Sequence, residues 1–313
     1  MIKFLIIAVF SMSLLWGQHK AHAGEVTYHR FTSEVLGRDY PYALYLPDGY
    51  HETYQAYPVL YLLHGSFGSE RDWVESGGLK ETADRLIREG HIPPMVIVMP
   101  GSESWWIDGH NEAARTAFLD DLMPYIEATW QVVPQREWRA IAGLSAGGFG
   151  ALNFTLERPE LFAAAAAMSP ASYHPLPPRR STARRHPAFL DAAGSFDESL
   201  WRQSNYTAYL ENYLEREEIV PLYLSAGHRD PYNAEHHARV VRQALAPHQP
   251  DLVAMEVLNG GHTWRVWRAS LPTAMAWMGR FLQDPVPLET LAEDAAAEGK
   301  AAVDPQVLSS HAQ

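Results

Sequence analysis

The feature that most restricts how this chain can fold is five residues long. Gly143-Leu144-Ser145-Ala146-Gly147 closes the apolar run Ala140-Ile141-Ala142 and leads at once into an Ala-rich, helix-spaced stretch over 146–157. A strand that reverses sharply into a helix forces the apex serine into strained backbone angles and lifts its hydroxyl into the open. Cβ atoms at the flanking positions would collide with the neighbouring strand and helix, so glycine stands at both. The new helix aims its first N–H groups at whatever that hydroxyl attacks. G-x-S-x-G alone is a common pattern. Its place between strand and helix, and its extension by Gly148 and Gly150, make Ser145 the candidate nucleophile.

Such a corner belongs to a layered α/β chain, and the rest of the sequence has that rhythm. Strands are read over 26–31 and 40–46, joined by a turn at Gly37; short apolar runs predict buried strands over 59–63, 95–99 and 140–142, and 163–168, 222–226 and 253–257 complete the set. Helical spacing falls between them, over 81–89, 113–130, 146–157, 199–216, 234–245 and 264–282. The alternation predicts a mostly parallel central sheet with helices on both faces.

A serine hydroxyl is a poor nucleophile near neutral pH and needs an imidazole base oriented by a carboxylate. After a G-x-S-x-G corner the chain order is serine, acid, histidine. Gly260-Gly261-His262 follows a predicted strand and precedes a helix, so its loop can carry His262 over the serine. His228 neighbours the candidate acid, His236 and His237 sit on different faces of a helix, and His174 and His186 lie in a proline-rich stretch. Gly227-His228-Arg229-Asp230 leaves the carboxyl end of another strand and offers Asp230 as the acid, with Glu235 in reserve; Asp230 could instead cap the next helix. Acyl chemistry also needs donors for a developing oxyanion. The N–H of Ala146 is one, and the loop His64-Gly65-Ser66-Phe67-Gly68 offers Ser66 first and Phe67 second, unless it is a simple turn.

Composition removes other chemistries. The chain has no cysteine, which excludes thiol catalysis, thiolate metal sites and disulfides. No H-E-x-x-H is present, and no metal or cofactor site is expected. Residues 1–23 have a basic start, an apolar run from Phe4 to Trp16 and a small-residue cleavage pattern at Ala21-His22-Ala23, which predicts an export leader cut after Ala23. The expected location is therefore periplasmic or secreted, without stable membrane insertion once the leader is removed. Net charge is −12; without Lys3 and Lys20 it becomes −14, which argues against a nucleic-acid partner. A catalytic domain over 24–283 is expected to precede an acidic, Ala-rich, disordered tail over 284–313, with six acids against one Lys. Residues 175–187 hold Pro177-Pro178 and two arginine pairs, Arg179-Arg180 and Arg184-Arg185. They read as an irregular excursion that either balances the acidic surface or attracts an anionic substrate.

Taken together, 57–68 (YPVLYLLHGSFG), 139–152 (RAIAGLSAGGFGAL), 159–162 (PELF) and 260–267 (GGHTWRVW) resemble the esterase-D-like esterases of the α/β-hydrolase superfamily. Feruloyl, acetyl-xylan and enterochelin esterases, formylglutathione hydrolases and mycolyltransferases are members. The resemblance runs from about Tyr28 to Leu282. It implies an α/β-hydrolase fold, a Ser145–Asp230–His262 triad, oxyanion donors at Ala146 and at Ser66 or Phe67, and no cofactor. Ala146 departs from the methionine that often follows the serine in this group. The segment Ser104-Trp105-Trp106-Ile107-Asp108 corresponds to one that lies near the ligand in relatives. Trp105 or Trp106 is thus a candidate wall for an acyl group or sugar, with Asp108 beside it and Trp264 on the histidine side, or else both tryptophans pack internally. The expected reaction is transfer of an acyl group through Ser145 to water, from a small-molecule, polysaccharide or lipid-like ester: feruloyl, acetyl, siderophore or lipid. Transfer to a sugar hydroxyl, and a non-catalytic binding protein that keeps the fold, are the alternatives.

Overall fold

The computed structural model describes residues 23–291. All but the last residue of the expected leader, and most of the expected acidic tail, lie outside the described residues. Ten strands run in chain order: β1 (Glu25–Ser33), β2 (Arg38–Leu46), β3 (Gln55–Ala56), β4 (Val59–Leu63), β5 (Val96–Pro100), β6 (Arg139–Leu144), β7 (Ala164–Met168), β8 (Leu222–Gly227), β9 (Val253–Leu258) and β10 (Val286–Pro287). Eight of them form one sheet in the order β1-β2-β5-β4-β6-β7-β8-β9. β1, β2 and β5 pair antiparallel; from β5 to β9 every pair is parallel. These eight are the expected strands, with ends shifted by one or two residues.

The inner strands of the sheet are apolar on both faces because helices cover both. Side chains alternate along a strand. In β4, Val59, Tyr61 and Leu63 join a layer with Phe118, Leu152 and Val241. Leu60 and Leu62 join the opposite layer with Leu79, Leu271 and Met275. Full burial of each such side chain contributes about 1.5–3 kcal/mol. The helices Ala146–Glu157 and Ala234–Leu245 lie on the first face, Leu79–Arg88 and Trp264–Gly279 on the second.

Some helical expectations change in detail. The stretch 114–129 is helical but widens over Ala117–Leu122, where the Met123 N–H reaches the Phe118 carbonyl five residues back. Pro124 follows and has no N–H to give, so the wider turn costs no further hydrogen bond there. The single helix expected over 199–216 is broken into Glu198–Gln203, a tight turn at Tyr206–Ala208, and Leu210–Leu214. The break is where the Asn205 side-chain amide turns inward to the Tyr173 carbonyl at 2.6 Å. The domain also continues past 283. β10 pairs with β3, the Leu288 N–H bonds to the Tyr54 carbonyl at 3.0 Å, and the Trp138 indole N–H bonds to the Asp284 carbonyl at 2.8 Å.

Segment 171–203 leaves the carboxyl end of β7 and forms a third, smaller core of its own. Tyr173, Ala183, Ala188, Phe189 and Trp201 pack on Trp105 and Phe149 there. The excursion expected at 175–187 is thus a folded cap.

Candidate active site

β6 ends at Leu144 and the helix Ala146–Glu157 begins two residues later, with Ser145 between them at φ 53°, ψ −112°. This is the left-handed side of backbone space, costly for a residue with a Cβ. Hydrogen bonds hold it there. The Ser145 N–H bonds to the Met168 carbonyl at 2.9 Å, and its own carbonyl accepts from Phe149 and Ala171 at 2.9 and 3.0 Å. Gly147 leaves no space for a side chain, since a Cβ would sit 2.4 Å from the Leu63 carbonyl oxygen. The N–H groups of Ala146, Gly147 and Gly148 form the first helical turn and have no acceptor within the helix.

β8 and β9 bring the remaining groups to the same end of the sheet. The Gly227 backbone passes so near Gly260 that a Cβ would lie 2.4 Å from its carbonyl. His228 and Arg229 donate their N–H groups to Leu258 and Gly260 at 3.0 and 2.9 Å. The two loops are thus tied side by side, with Asp230 on one and His262 on the other. His262 Nε2 is 2.8 Å from Ser145 Oγ, and its Nδ1 is 2.6 Å from Asp230 Oδ2. A carboxylate only accepts, so Nδ1 carries the ring proton and Nε2 is left to accept from the serine hydroxyl. The Asp230 side chain is 1% exposed, and its Oδ1 accepts the Tyr232 N–H at 2.9 Å. Tyr232 and Trp267 stand edge-on to the His262 ring at 4.9 and 5.0 Å. Glu235, the reserve acid, is paired with Arg239 at 2.8 Å instead.

These groups open into a cavity of about 240 Å³ lined by Gly65, Ser66, Ser145, Tyr173, Thr182 and Trp264, among others. Gly65 lies close enough to Ser145 that a Cβ there would be 3.6 Å from the serine Cβ. The expected oxyanion loop is therefore beside the nucleophile. Ser66 lines the cavity, while Phe67, at φ 59°, is 63% exposed and its ring rests on His186 at 4.6 Å.

Three candidate substrate residues take other places. Trp105 and Trp106 are each 1% exposed and do not line the cavity. Their indole N–H groups donate to Ser66 Oγ at 3.0 Å and to the His64 carbonyl at 3.2 Å, so they pin the loop from behind. Asp108 accepts from Thr116 N and Oγ1 at 2.9 and 2.7 Å, securing the start of the helical stretch 114–129. Trp264 does line the cavity, its ring held perpendicular to Trp73 and Trp267. Tyr173, Thr182, Tyr232 and Asp72 line it as well and were not singled out in the sequence. Tyr173 and Tyr232 were within reach, because they stand in the loops after β7 and β8 where this class of sheet binds its ligands. Among the described residues, no group of three or more His, Asp or Glu side chains is placed to hold a metal ion.

A family model described as "Putative esterase" matches residues 33–278. The chain belongs to this family. The esterase-family relative Rv1288 of Mycobacterium tuberculosis is 32% identical over 208 residues, covering 60% of this chain and 42% of the relative. An endo-1,4-beta-xylanase/feruloyl esterase of Xylanibacter ruminicola is 33% identical over 162 residues, covering 49% of this chain and 22% of the relative. The matches span less than half the length of either protein. Among solved structures, a ferulic acid esterase superposes with a TM-score of 0.72 at 26% identity, over 83% of this chain and 99% of that one. An S-formylglutathione hydrolase from Agrobacterium tumefaciens superposes with a TM-score of 0.66 at 16% identity, over 84% and 97% of the two chains, a likeness of fold. The esterase family's mostly parallel, helix-flanked sheet is the α/β-hydrolase fold expected from the sequence.

Proposed function

We propose that this chain is a serine carboxylic-ester hydrolase acting through Ser145, His262 and Asp230. The observation that carries the reading is the unbroken relay Ser145 Oγ–His262 Nε2 at 2.8 Å and His262 Nδ1–Asp230 Oδ2 at 2.6 Å, opening into a cavity. Ser145 Oγ attacks the ester carbonyl carbon as its proton passes to His262 Nε2. The oxyanion collects on the N–H of Ala146 and of Ser66, with Phe67 next along the same loop. The C–O bond breaks, the leaving alcohol takes the proton from His262, and an acyl-enzyme remains. Water then gives a proton to His262 and attacks the acyl carbon, which releases the acid and restores the serine. Asp230 keeps its charge throughout and holds the ring in the tautomer that accepts at Nε2.

Cavity size and lining narrow the substrate. About 240 Å³ is below the roughly 300–1,000 Å³ typical of drug-sized ligand sites. Tyr173, Tyr232, Trp264 and Trp267 give its wall an aromatic part. Both favour a compact acyl group, aromatic or acetyl, over a long lipid chain. The feruloyl esterases among the relatives act on such an aromatic ester by name. The leader expected from the sequence supports a reaction outside the cytoplasm, in the periplasm or the medium. A fluorophosphonate probe should label the protein and fail to label Ser145→Ala. A panel of p-nitrophenyl esters of rising length, with methyl ferulate, should be cleaved best at short or aromatic acyl groups. Equal labelling of the Ser145→Ala variant would end this reading.

A further inference from the structure

The proline-rich part of the cap holds arginines on both sides of a residue of the cavity wall, Thr182. Its course is fixed by buried Ala183, Ala188 and Phe189 and by Arg184, whose Nε donates to the Pro177 carbonyl at 2.9 Å while its guanidinium lies 4.5 Å over the Phe196 ring. Thr182, in the same turn, lines the cavity. Arg179 and Arg180 precede it and Arg185 follows, all exposed.

These three arginines differ from the rest. Among the described residues, every other arginine has a hydrogen bond, an ion pair or an aromatic ring. Arg179, Arg180 and Arg185 have none, in a chain with 37 acids to 25 bases. Of the three, Arg180 is near enough to act on a residue of the cavity wall: burial first, then Asp230, raises the pKa of the Tyr173 phenol, and the Arg180 charge opposes the rise. Asp72 lies on the cavity wall too and disfavours a negative group beside it, whereas Thr182 brings the arginine-bearing turn of the cap to the wall.

We propose that Arg179, Arg180 and Arg185 receive a carboxylate carried by the substrate beyond its scissile ester, so that the site prefers esters of acidic molecules to their neutral counterparts. Guanidinium groups suit this, because each offers a planar fork of donors that matches a carboxylate. The inference rests on the ester-hydrolase reading above and deepens it.

Matched ester pairs test it. 4-Acetoxybenzoate against 4-acetoxybenzamide places the charge on the leaving group; p-nitrophenyl glutarate against p-nitrophenyl valerate places it on the acyl group. The ratio of kcat/KM within each pair cancels any general effect of a substitution. In at least one pair the charged ester should be preferred. The Arg179→Ala/Arg180→Ala/Arg185→Ala variant should lose about fivefold or more of that preference, mainly through KM, and added salt should erode it in the wild type. Arg180→Glu should push the ratio below that of Arg180→Ala. Ratios equal in wild type and triple variant for both pairs would overturn the proposal and leave ester hydrolysis standing. Failure of the wild type to cleave even the neutral members would end both.

Discussion

The His64 ring accepts the backbone N–H of Ser102 at Nε2, at 3.0 Å. That bond settles the ring's chemistry. Nε2 must be unprotonated to accept, so Nδ1 carries the proton and donates to the Gly65 carbonyl at 2.7 Å. His64 is 1% exposed and neutral, its pKa lowered by burial. It bolts the loop that carries Ser66 to the loop that carries Trp105. His64→Phe keeps the bulk and leaves the Ser102 N–H and Gly65 carbonyl without their partner. Two such losses should cost about 2–4 kcal/mol by urea unfolding. Loosening the donor loop should lower kcat by about tenfold or more, with a smaller change in KM. A wild-type kcat in this variant would show that the loop keeps its place without the bridge.

Asp230 and Glu235 are five residues apart and make opposite predictions. Asp230→Asn keeps the shape but offers His262 Nδ1 an amide that can donate, which favours the wrong ring tautomer. The loss in kcat should be about 10³–10⁴-fold, with the fold unchanged by circular dichroism. Glu235→Gln removes only an exposed pair with Arg239, worth up to about 1 kcal/mol, and should leave kcat within about twofold. A reversed order of effects would transfer the acid role to Glu235.

Much of this arrangement was legible in the residues. The inner strands β4 to β8 could be read because both faces are covered, so each is a short apolar run bounded by Pro, Gly or polar residues. Ser145 and His262 could be read because glycine is demanded where strands turn under tight backbone contact, as at Gly147 and Gly227. The side on which a loop presents its side chains could not. Trp105 and Trp106 lie in a loop at the correct end of the sheet, yet they face inward, because the small core around Trp201 and Phe149 takes one and the layer around Phe118 takes the other. That core joins residues about a hundred positions apart and has no local periodicity. The pairing of Val286 with Ala56 was hidden for the same reason: two-residue strands carry no pattern of their own.

Buried neutral histidines should weaken the fold as pH falls. His186 is 2% exposed, and burial, the largest cause, lowers its pKa from 6.5 to about 4. Burial also lowers His64 and His29. The unfolded chain takes up protons near pH 6.5 that the folded chain refuses, so stability is fully present above that pH and declines as pH falls toward 4. For His186 the loss is on the order of 3 kcal/mol. Urea midpoints should fall steadily from pH 7 to pH 5. His186→Asn should flatten that decline, and an unchanged slope would remove His186 as a contributor.

Trp105 and Trp264 separate holding a site from touching its ligand. Trp105 is enclosed by Phe149, Phe189 and Trp201 and donates to Ser66 Oγ. Its replacement by Ala should cost about 3–5 kcal/mol and lower kcat for every ester alike, since the cavity left behind loosens the donor loop. Trp264 is half-buried at the cavity wall, braced by Trp73 and Trp267. Trp264→Ala should raise KM for methyl ferulate several-fold, because stacking of the aromatic acyl group is lost. It should change KM for p-nitrophenyl acetate little, since an acetyl group is too short to stack. Kinetics on the two esters, with unfolding curves for both variants, check the pair. Equal KM shifts on the two esters in Trp264→Ala would mean that this ring supports the wall without meeting the acyl group.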